Sequence, residues 1–525
     1  MKIKLLNRTT YLGFRQLKPG LRAMLVVILA VSCSKTNEVD PSETESDTVT
    51  IIENNVSATE EGNTEDASDE DDLIENQTFS STVKIVYSEG GVMVTNPLEG
   101  SGVSVSEING DVTVEATVSE VAYELSGTTT DGSFKIYSEK KLALILNGVS
   151  ITNSDGPAIN IQTGKTIFVV MNEGTTNTLT DSDTYEDIPD DEDAKAAFFS
   201  EGQLVFSGGG SLSVQGNYKH GICSDDYVRI REGTIIITGA VKDGIHTNDS
   251  FIVDGGVIDI TAPSDGIECE EGFIVINDGE FILNVGDDGI AASYETDETI
   301  DPYLTINGGT FEINSSEGEG IESKSTLTIN DGEFTIITAD DGLNAGSALY
   351  INGGNLYVKS TGNDAVDSNG ILTITGGITI AIGDSSPEAG FDCDNNTFKI
   401  TGGTLLGLGG STSQPSSSAS TQRSVILGSF SSGSYISIQS SDGVEALTFL
   451  IPQSYTTMLY SSAKLEANTT YTVYSGGSVT NEVEFNGFVL SGEYSGGTST
   501  GTKFTTSSMV TSVGGSIGPG GGPRG

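Results

Sequence analysis

Two files of mostly oxygen-bearing side chains run through the middle of this 525-residue chain at a common spacing. The first is Asp243, Asp265, Asp288, Glu319, Asp341 and Asp364. The second, three residues later in each repeat, is His246, Glu268, Ala291, Glu322, Asn344, Asp367 and Asp392, with Asp287, Asp340 and Asp394 as further carboxylates. If successive members stack one coil apart, at ~4.8 Å, ionised neighbours repel by about 3 kcal/mol at an effective dielectric near 20. Such a ladder persists only where cations, protons or partners relieve it. Calcium suits it, because it accepts roughly six to eight oxygens in loose geometry. The expected ligands are Asp243, Asp265, Glu268, Asp288, Glu319, Glu322, Asp341, Asn344, Asp364 and Asp367. A competing reading gives each Asp-Gly to its own turn, the aspartate bonding nearby amides; it explains the first file well and the second poorly. Zinc fits badly, since the chain has two His and no Cys partner in phase.

Catalysis needs separate grounds. No GxSxG elbow supports a serine hydrolase, and paired carboxylates are too numerous here to single out a glycosidase. A lyase requires a base beside a calcium-bound uronate, and Lys242 and Lys324 are the lysines near the ridge; solvated surface roles suit both better. Sugar-binding platforms usually carry flat aromatics. Trp is absent, and the outward strand positions offer mainly Tyr350 and Tyr357, expected in one coil on adjoining sheets.

The elements that position these residues follow from a repeat of about 23 residues. A small-then-apolar pair recurs at Gly221-Ile222, Gly244-Ile245, Gly266-Ile267, Gly289-Ile290, Gly320-Ile321, Gly342-Leu343, Ala365-Val366 and Gly390-Phe391. After each comes an alternating strand, a turn such as Asn307-Gly308-Gly309 or Asn330-Asp331-Gly332, and a second strand. Hairpins can use such turns, but a hairpin sandwich has no reason to repeat one whole pattern at a fixed period. A right-handed parallel β-helix does, because every column along it holds one residue type. The expected inward columns are Ile258, Phe281, Phe311, Phe334, Leu356 and Leu304, Leu327, Leu349, Leu372, with Asn307, Asn330 and Asn352 stacked at one turn. The fold class is all-β: a β-helix of about ten coils with a small C-terminal β-sandwich or cap.

Composition sets the limits. Against 24 basic residues stand 74 acidic ones, for a formal charge of −50, which excludes nucleic acid as a partner reached through phosphates. Residues 1–32 carry six basic residues and an apolar run, Met24–Val31, ending at Ser32-Cys33. That is the form of a secretory signal. Residues 33–80, with fifteen acids, are expected to be a disordered acidic tether. The β-helix is placed at 81–410, a Ser-rich linker at 411–423, a small β domain or cap at 424–492 and a loose Gly/Ser tail at 493–525. Cys223, Cys269 and Cys393 are spaced beyond disulfide reach and read as buried apolar residues.

Two resemblances add to this. Ala30-Val31-Ser32-Cys33 resembles a bacterial lipoprotein box, which implies lipidation at Cys33 and a membrane anchor. The runs Tyr123–Gly132, Leu144–Ile151, Gly156–Ile159, Glu173–Leu179 and Gly216–Ile222 closely resemble the bacterial polysaccharide-lyase-like carbohydrate-binding β-helix family, in order over roughly residues 80–490. That resemblance implies a calcium-binding parallel β-helix that binds plant-type polysaccharides, acidic ones included, without an established lyase reaction. Departures fall at Gly320, preceded by Glu319, at Ala365, and at Ala389, where the acid is lost. The resulting expectation is a non-catalytic, calcium-assisted polysaccharide binder, exported as an outer-membrane lipoprotein and surface-exposed. The alternatives are a calcium-dependent polysaccharide lyase using Lys324 or Lys242, and a structural adhesin whose calcium serves rigidity.

Overall fold

The structure is a computed structural model that describes residues 48–185, 188–189, 192–294 and 299–518. Cys33 and the signal region lie outside the described residues. One compact unit spans Thr44–Gly525.

The repeat folds as a parallel β-solenoid of about thirteen turns with a small antiparallel sheet. Each regular turn contributes three strands, as in Ile267–Cys269, Phe273–Ile276 and Glu280–Val285. The first kind of strand stacks into a 12-stranded sheet. The turn count exceeds ten because further turns pair in register upstream of the regular repeat, Phe134 with Ile159 and Ile159 with Phe198.

Burial follows the expected columns. Ile258, Phe281, Phe311, Phe334 and Leu356 align one above another, and the three phenyl rings stack at centroid distances of 4.6 Å. Leu304, Leu327, Leu349 and Leu372 form a second buried file. The asparagine ladder forms and is longer than the three residues expected. Asn277 Oδ1 accepts from Asn307 Nδ2 (2.9 Å), Asn307 from Asn330 (2.8 Å), and Asn330 from Asn352 (2.7 Å).

The ladder explains the main correction. Residues 48–80 are not a free acidic tether. Val49–Ile51 pairs with Tyr494, Glu493 and Gly492, and the following segment runs along the asparagine file. There its backbone carbonyls accept from Asn352 (Glu61 O, 2.8 Å), Asn330 (Asn63 O, 3.0 Å), Asn307 (Glu65 O, 3.0 Å) and Asn277 (Asp66 O, 2.8 Å). Farther along, Arg229 donates to Ala67 O and pairs with Asp72 and Asp254, and Arg231 pairs with Glu75. Composition forecasts disorder because the segment has little apolar surface to bury. Here backbone hydrogen bonds to a preformed ladder replace that burial, and most of the acidic side chains remain solvated.

The C-terminal boundaries shift for similar reasons. The Ser-rich stretch 411–423 is not a linker: Ser411, Thr412, Ser413, Ser420 and Gln422 are buried, the Gln422 amide donating to Gly402 O, Gly403 O and Ser461 Oγ. The solenoid closes where Thr404–Gly409 pairs antiparallel with Thr457–Ser461. The cap is a five-stranded sheet of Val49–Ile51, Phe488–Thr505, Glu445–Leu450, Tyr435–Ser440 and Thr470–Phe485. The supposed tail from 493 is therefore strand as far as Thr505, held by buried Tyr494 and Phe504, and Val510–Ser512 adds to the solenoid end.

Candidate cation-binding ridge

The two acidic files flank the short strands of the 12-stranded sheet. Ile245, Ile267, Ile290, Ile321, Leu343 and Val366 align inward, and the next residues, His246, Glu268, Ala291, Glu322, Asn344 and Asp367, align as the second file. The small residue before each apolar one is required by space. A Cβ on Gly244 would lie 2.4 Å from the Ile260 side chain, and one on Gly342 would lie 2.1 Å from that of Val358. This close approach packs the corner against the core and draws the preceding carboxylate close to the sheet.

The first file does what turn chemistry asks, across coils rather than within them. Asp243 Oδ1 accepts the amide of Asp265 (3.3 Å), Asp265 that of Asp288 (2.9 Å), Asp288 that of Glu319 (2.8 Å) and Asp341 that of Asp364 (3.0 Å). One oxygen of each of these carboxylates is thus engaged. Three acid-only groups then bring one ligand oxygen per residue within 4.8 Å of each other: Asp243, Asp265 and Glu268; Asp265, Asp287 and Asp288; and Asp364, Asp367 and Asp392.

These groups hold more negative charge than burial permits. Burial, then the charges of Asp243 and Glu268, push Asp265 up to about 8. Asp364 is raised to about 8 by burial and by Asp392, and Asp367 to about 7 by burial and by Asp392 and Asp394. Asp341 rises to about 10 through burial and the charges of Asp367 and Asp364. Asp288 is raised well above the carboxylate range by burial and by Glu319, which shares a hydrogen bond with it. Asp367 Oδ1 is buried and has no hydrogen-bond partner among the described residues. An orphaned carboxylate oxygen inside an all-oxygen cluster fits a hard cation such as calcium.

The ladder is not uniform. At its head, His220 and His246 stack at 4.4 Å. Burial opposes charge on His246, but hydrogen bonds to Asp243, Glu268 and Glu270 hold its pKa up to about 11, so it is a built-in cation. His220, with Nδ1 3.0 Å from Asp243 Oδ2, is pushed down to about 4 by burial. In the middle, Lys324 Nζ meets Glu322 Oε1 at 2.6 Å, while Asn344 Nδ2 donates to Glu319 and Glu322. Lysine and amide neutralise that stretch.

The expected ligands therefore separate. Asp243, Asp265, Glu268, Asp288, Asp364 and Asp367 gather into candidate cation groups, whereas the acids Glu319, Glu322 and Asp341 fall in none among the described residues, and Asn344 donates its amide to Glu319 and Glu322. Asp287 and Asp392 belong to these groups and lay outside the expected ligand set; both were visible as carboxylates in phase with the files. Asp392 supplies the last corner, where Ala389 lacks the acid. Tyr350 and Tyr357 do occupy one turn, on consecutive strands Ala348–Ile351 and Asn355–Ser360. The Tyr350 ring lies against Gly62 of the N-terminal strap, and Tyr357 packs against the cap core. Lys324 is held protonated by Glu322, its pKa raised in spite of burial; Lys242 is exposed. Cys223, Cys269 and Cys393 are free and buried.

Comparison with known proteins places these features in company. The family described as carbohydrate-binding domain-containing protein matches residues 109–365 and 303–484. A carbohydrate-binding domain-containing protein of Acetivibrio thermocellus is 31% identical over 163 residues, 30% of this chain and 54% of that protein, so the match spans about half the relative's length. Among solved structures, a polysaccharide lyase-like protein from C. thermocellum, studied as its gadolinium derivative, is 26% identical. That similarity covers 56% of this chain and 96% of the other, at a TM-score of 0.38.

Proposed function

The chain belongs to the family of carbohydrate-binding domain-containing proteins, and from that premise we propose that it binds an acidic polysaccharide without cleaving it, calcium on the ridge serving as the bridge. The observation that carries this reading is the raised pKa of Asp265, Asp364 and Asp367 within clusters of oxygen ligands, together with the orphaned Asp367 oxygen. Carboxylates so placed gain most from a divalent cation, and a cation held by three or four protein oxygens keeps positions for a uronate carboxylate. Without that cation the face would repel a polyuronate.

Asp265, Asp287 and Asp288 would hold calcium at one end of the ridge, where His246 already answers Asp243 and Glu268, and Asp364, Asp367 and Asp392 would hold it at the other. The cation would supply charge neutralisation and a bridge to the glycan. The lyase alternative loses support at Lys324, because a lysine held protonated by a 2.6 Å ion pair is a poor proton acceptor. The signal-like run 1–32 and Cys33 favour export and a lipid anchor at a bacterial outer membrane. Metabolic labelling with a fatty acid, lost in Cys33→Ala, tests that part.

The function is tested by calorimetric titration of calcium into the chelator-stripped chain, with and without polygalacturonate. Linkage is reciprocal: calcium that bridges protein to glycan must bind more tightly when the glycan is present. Calcium sites indifferent to the glycan would leave the ion a structural clamp, and no uptake would return the aspartates to turn chemistry. Accumulation of unsaturated uronate, read by absorbance, would instead establish the lyase.

A further inference from the structure

Beside the head of the ridge lies an aromatic platform that the sequence patterning did not single out. Tyr185 and Tyr218 stack at a centroid distance of 4.0 Å with rings 20° apart. The pair is held from below by Asp181, which is buried and has both oxygens engaged. Oδ2 accepts from the Tyr185 hydroxyl (2.6 Å) and the Tyr218 amide (3.4 Å), and Oδ1 from the Asn217 amide (2.5 Å). Tyr218 is nevertheless 42% exposed, so one ring face is covered by Tyr185 while much of the residue meets solvent.

Two lysines lie on the turns beside it. Lys219 O accepts the amides of Val241 (3.0 Å) and Lys242 (2.8 Å), which places those two residues beside the Tyr218 turn. Val241 is 54% exposed and Lys242 is exposed. Lysines 84, 135, 195, 324, 399 and 464 are each committed to an acid. Among the described residues, Lys219 and Lys242 take part in no ion pair, as is also true of Lys140, Lys141, Lys165, Lys359 and Lys503. A fixed, partly exposed tyrosine with two uncommitted lysines on its own and the adjoining turn offers the complement of a pyranose ring that carries a carboxylate. The ring's C–H face lies on an aromatic surface, and its carboxylate meets an ammonium group.

We propose that Tyr218, backed by Tyr185 and flanked by Lys219 and Lys242, is a calcium-independent subsite for one uronate residue of an acidic polysaccharide. The inference rests on the acidic-glycan reading above and adds to it a place where sugar meets protein directly. Because the Asp181 hydrogen bonds fix the stack in advance, little ordering remains to be done on binding. The subsite adjoins the turn that carries Asp243, so a chain of several uronates could lie on the platform and continue onto calcium at Asp265, Asp287 and Asp288.

The chain has no Trp, so Tyr218→Trp introduces a lone emission reporter at the platform itself. Oligogalacturonate is titrated into this variant, with calorimetry in parallel on wild type, Tyr218→Ala, Tyr218→Phe and the double change Lys219→Ala with Lys242→Ala. All are measured in calcium and in chelator, after an unchanged melting curve confirms folding. The subsite predicts a saturable emission change that persists in chelator, about a tenfold loss of affinity in Tyr218→Ala and in the lysine pair, and near wild-type affinity in Tyr218→Phe. If wild type binds more weakly in chelator while Tyr218→Trp stays silent and Tyr218→Ala is unaffected, the subsite falls and the calcium bridge stands. If Tyr218→Ala weakens binding but chelation does not, the bridge falls and the subsite stands. No binding by wild type under either condition overturns both.

Discussion

Raising the pH of the metal-free protein from 5 to 8 should destabilise it, and calcium should restore most of what is lost. Asp364, buried at the C-terminal end of the ridge, has its pKa moved from 3.8 to about 8. An acid raised in the folded state keeps its proton where the unfolded chain has released it. Its contribution is therefore fully present below about pH 4 and lost as pH climbs to about 8. Each pH unit crossed costs the folded state about 1.4 kcal/mol, so between pH 5 and pH 8 Asp364 alone accounts for about 4 kcal/mol. That is comparable with the whole stability of many domains, about 5–15 kcal/mol. Calcium at a hundred times its dissociation constant returns about 2.7 kcal/mol per site. The assay is calorimetric melting in chelator and in calcium at the two pH values. The expected pattern is a melting temperature several degrees lower at pH 8 in chelator, with the calcium-induced rise much larger at pH 8 than at pH 5. Asp364→Asn should remove the Asp364 share of the pH dependence in chelator and leave that of the other raised acids, Asp265 and Asp367 among them. Equal stability at both pH values without metal, or a calcium effect indifferent to pH, would refute the account of the ridge as a store of suppressed charge.

Other substitutions probe the remaining parts. Phe311→Ala removes the middle ring of the buried three-phenyl stack and should cost about 3–5 kcal/mol by denaturant titration. Asn330→Ala breaks the bonds to Asn307 and to Asn63 O. About 2 kcal/mol is expected, with faster amide exchange over residues 61–66 as the sign that the strap has loosened. Lys324→Met strands the buried Glu322 carboxylate and should destabilise the protein at pH 8 by about 3 kcal/mol. That loss should shrink toward pH 5, where Glu322, its pKa already raised mainly by burial, can take up a proton.

How much was legible in the sequence depended on which atoms carried the information. Phe281, Phe311 and Phe334, or Ile267, Ile290 and Ile321, speak through side chains, and a period of about 23 residues aligns them without coordinates. The same holds for the Asp-Gly corners and the asparagine file. The strap was illegible because Glu61, Asn63, Glu65 and Asp66 use main-chain carbonyls, which every residue possesses. Composition described only their outward side chains. Likewise Ser411–Gln422 looks like linker until the buried Gln422 amide finds its three acceptors. Within the ridge, periodicity placed the carboxylates but not their counter-charges. That Glu322 is answered by Lys324 and Glu268 by His246, while Asp367 is left with an orphaned oxygen, depends on side-chain directions within a corner.

The two long polar features of the solenoid meet their charge in opposite ways. Along the asparagine file the acids belong to the strap, which gives its carbonyls to the ladder and leaves most carboxylates in water, where high dielectric makes their crowding cheap. Along the ridge the acids are rooted beside the core by small residues, glycines that admit no Cβ at every corner but that of Ala365, so their charges are partly desolvated and cannot spread apart. Only the first arrangement is complete with protein atoms. The second is completed by His246 at its head and by Lys324 in its middle, whereas among the described residues Asp265, Asp287, Asp288, Asp364 and Asp367 form no ion pair. A protein already carrying −50 charges gains nothing in solubility from such groups. Their placement makes physical sense if a cation arrives from solution, and an exposed line of bound cations is a surface on which a polyanion can lie.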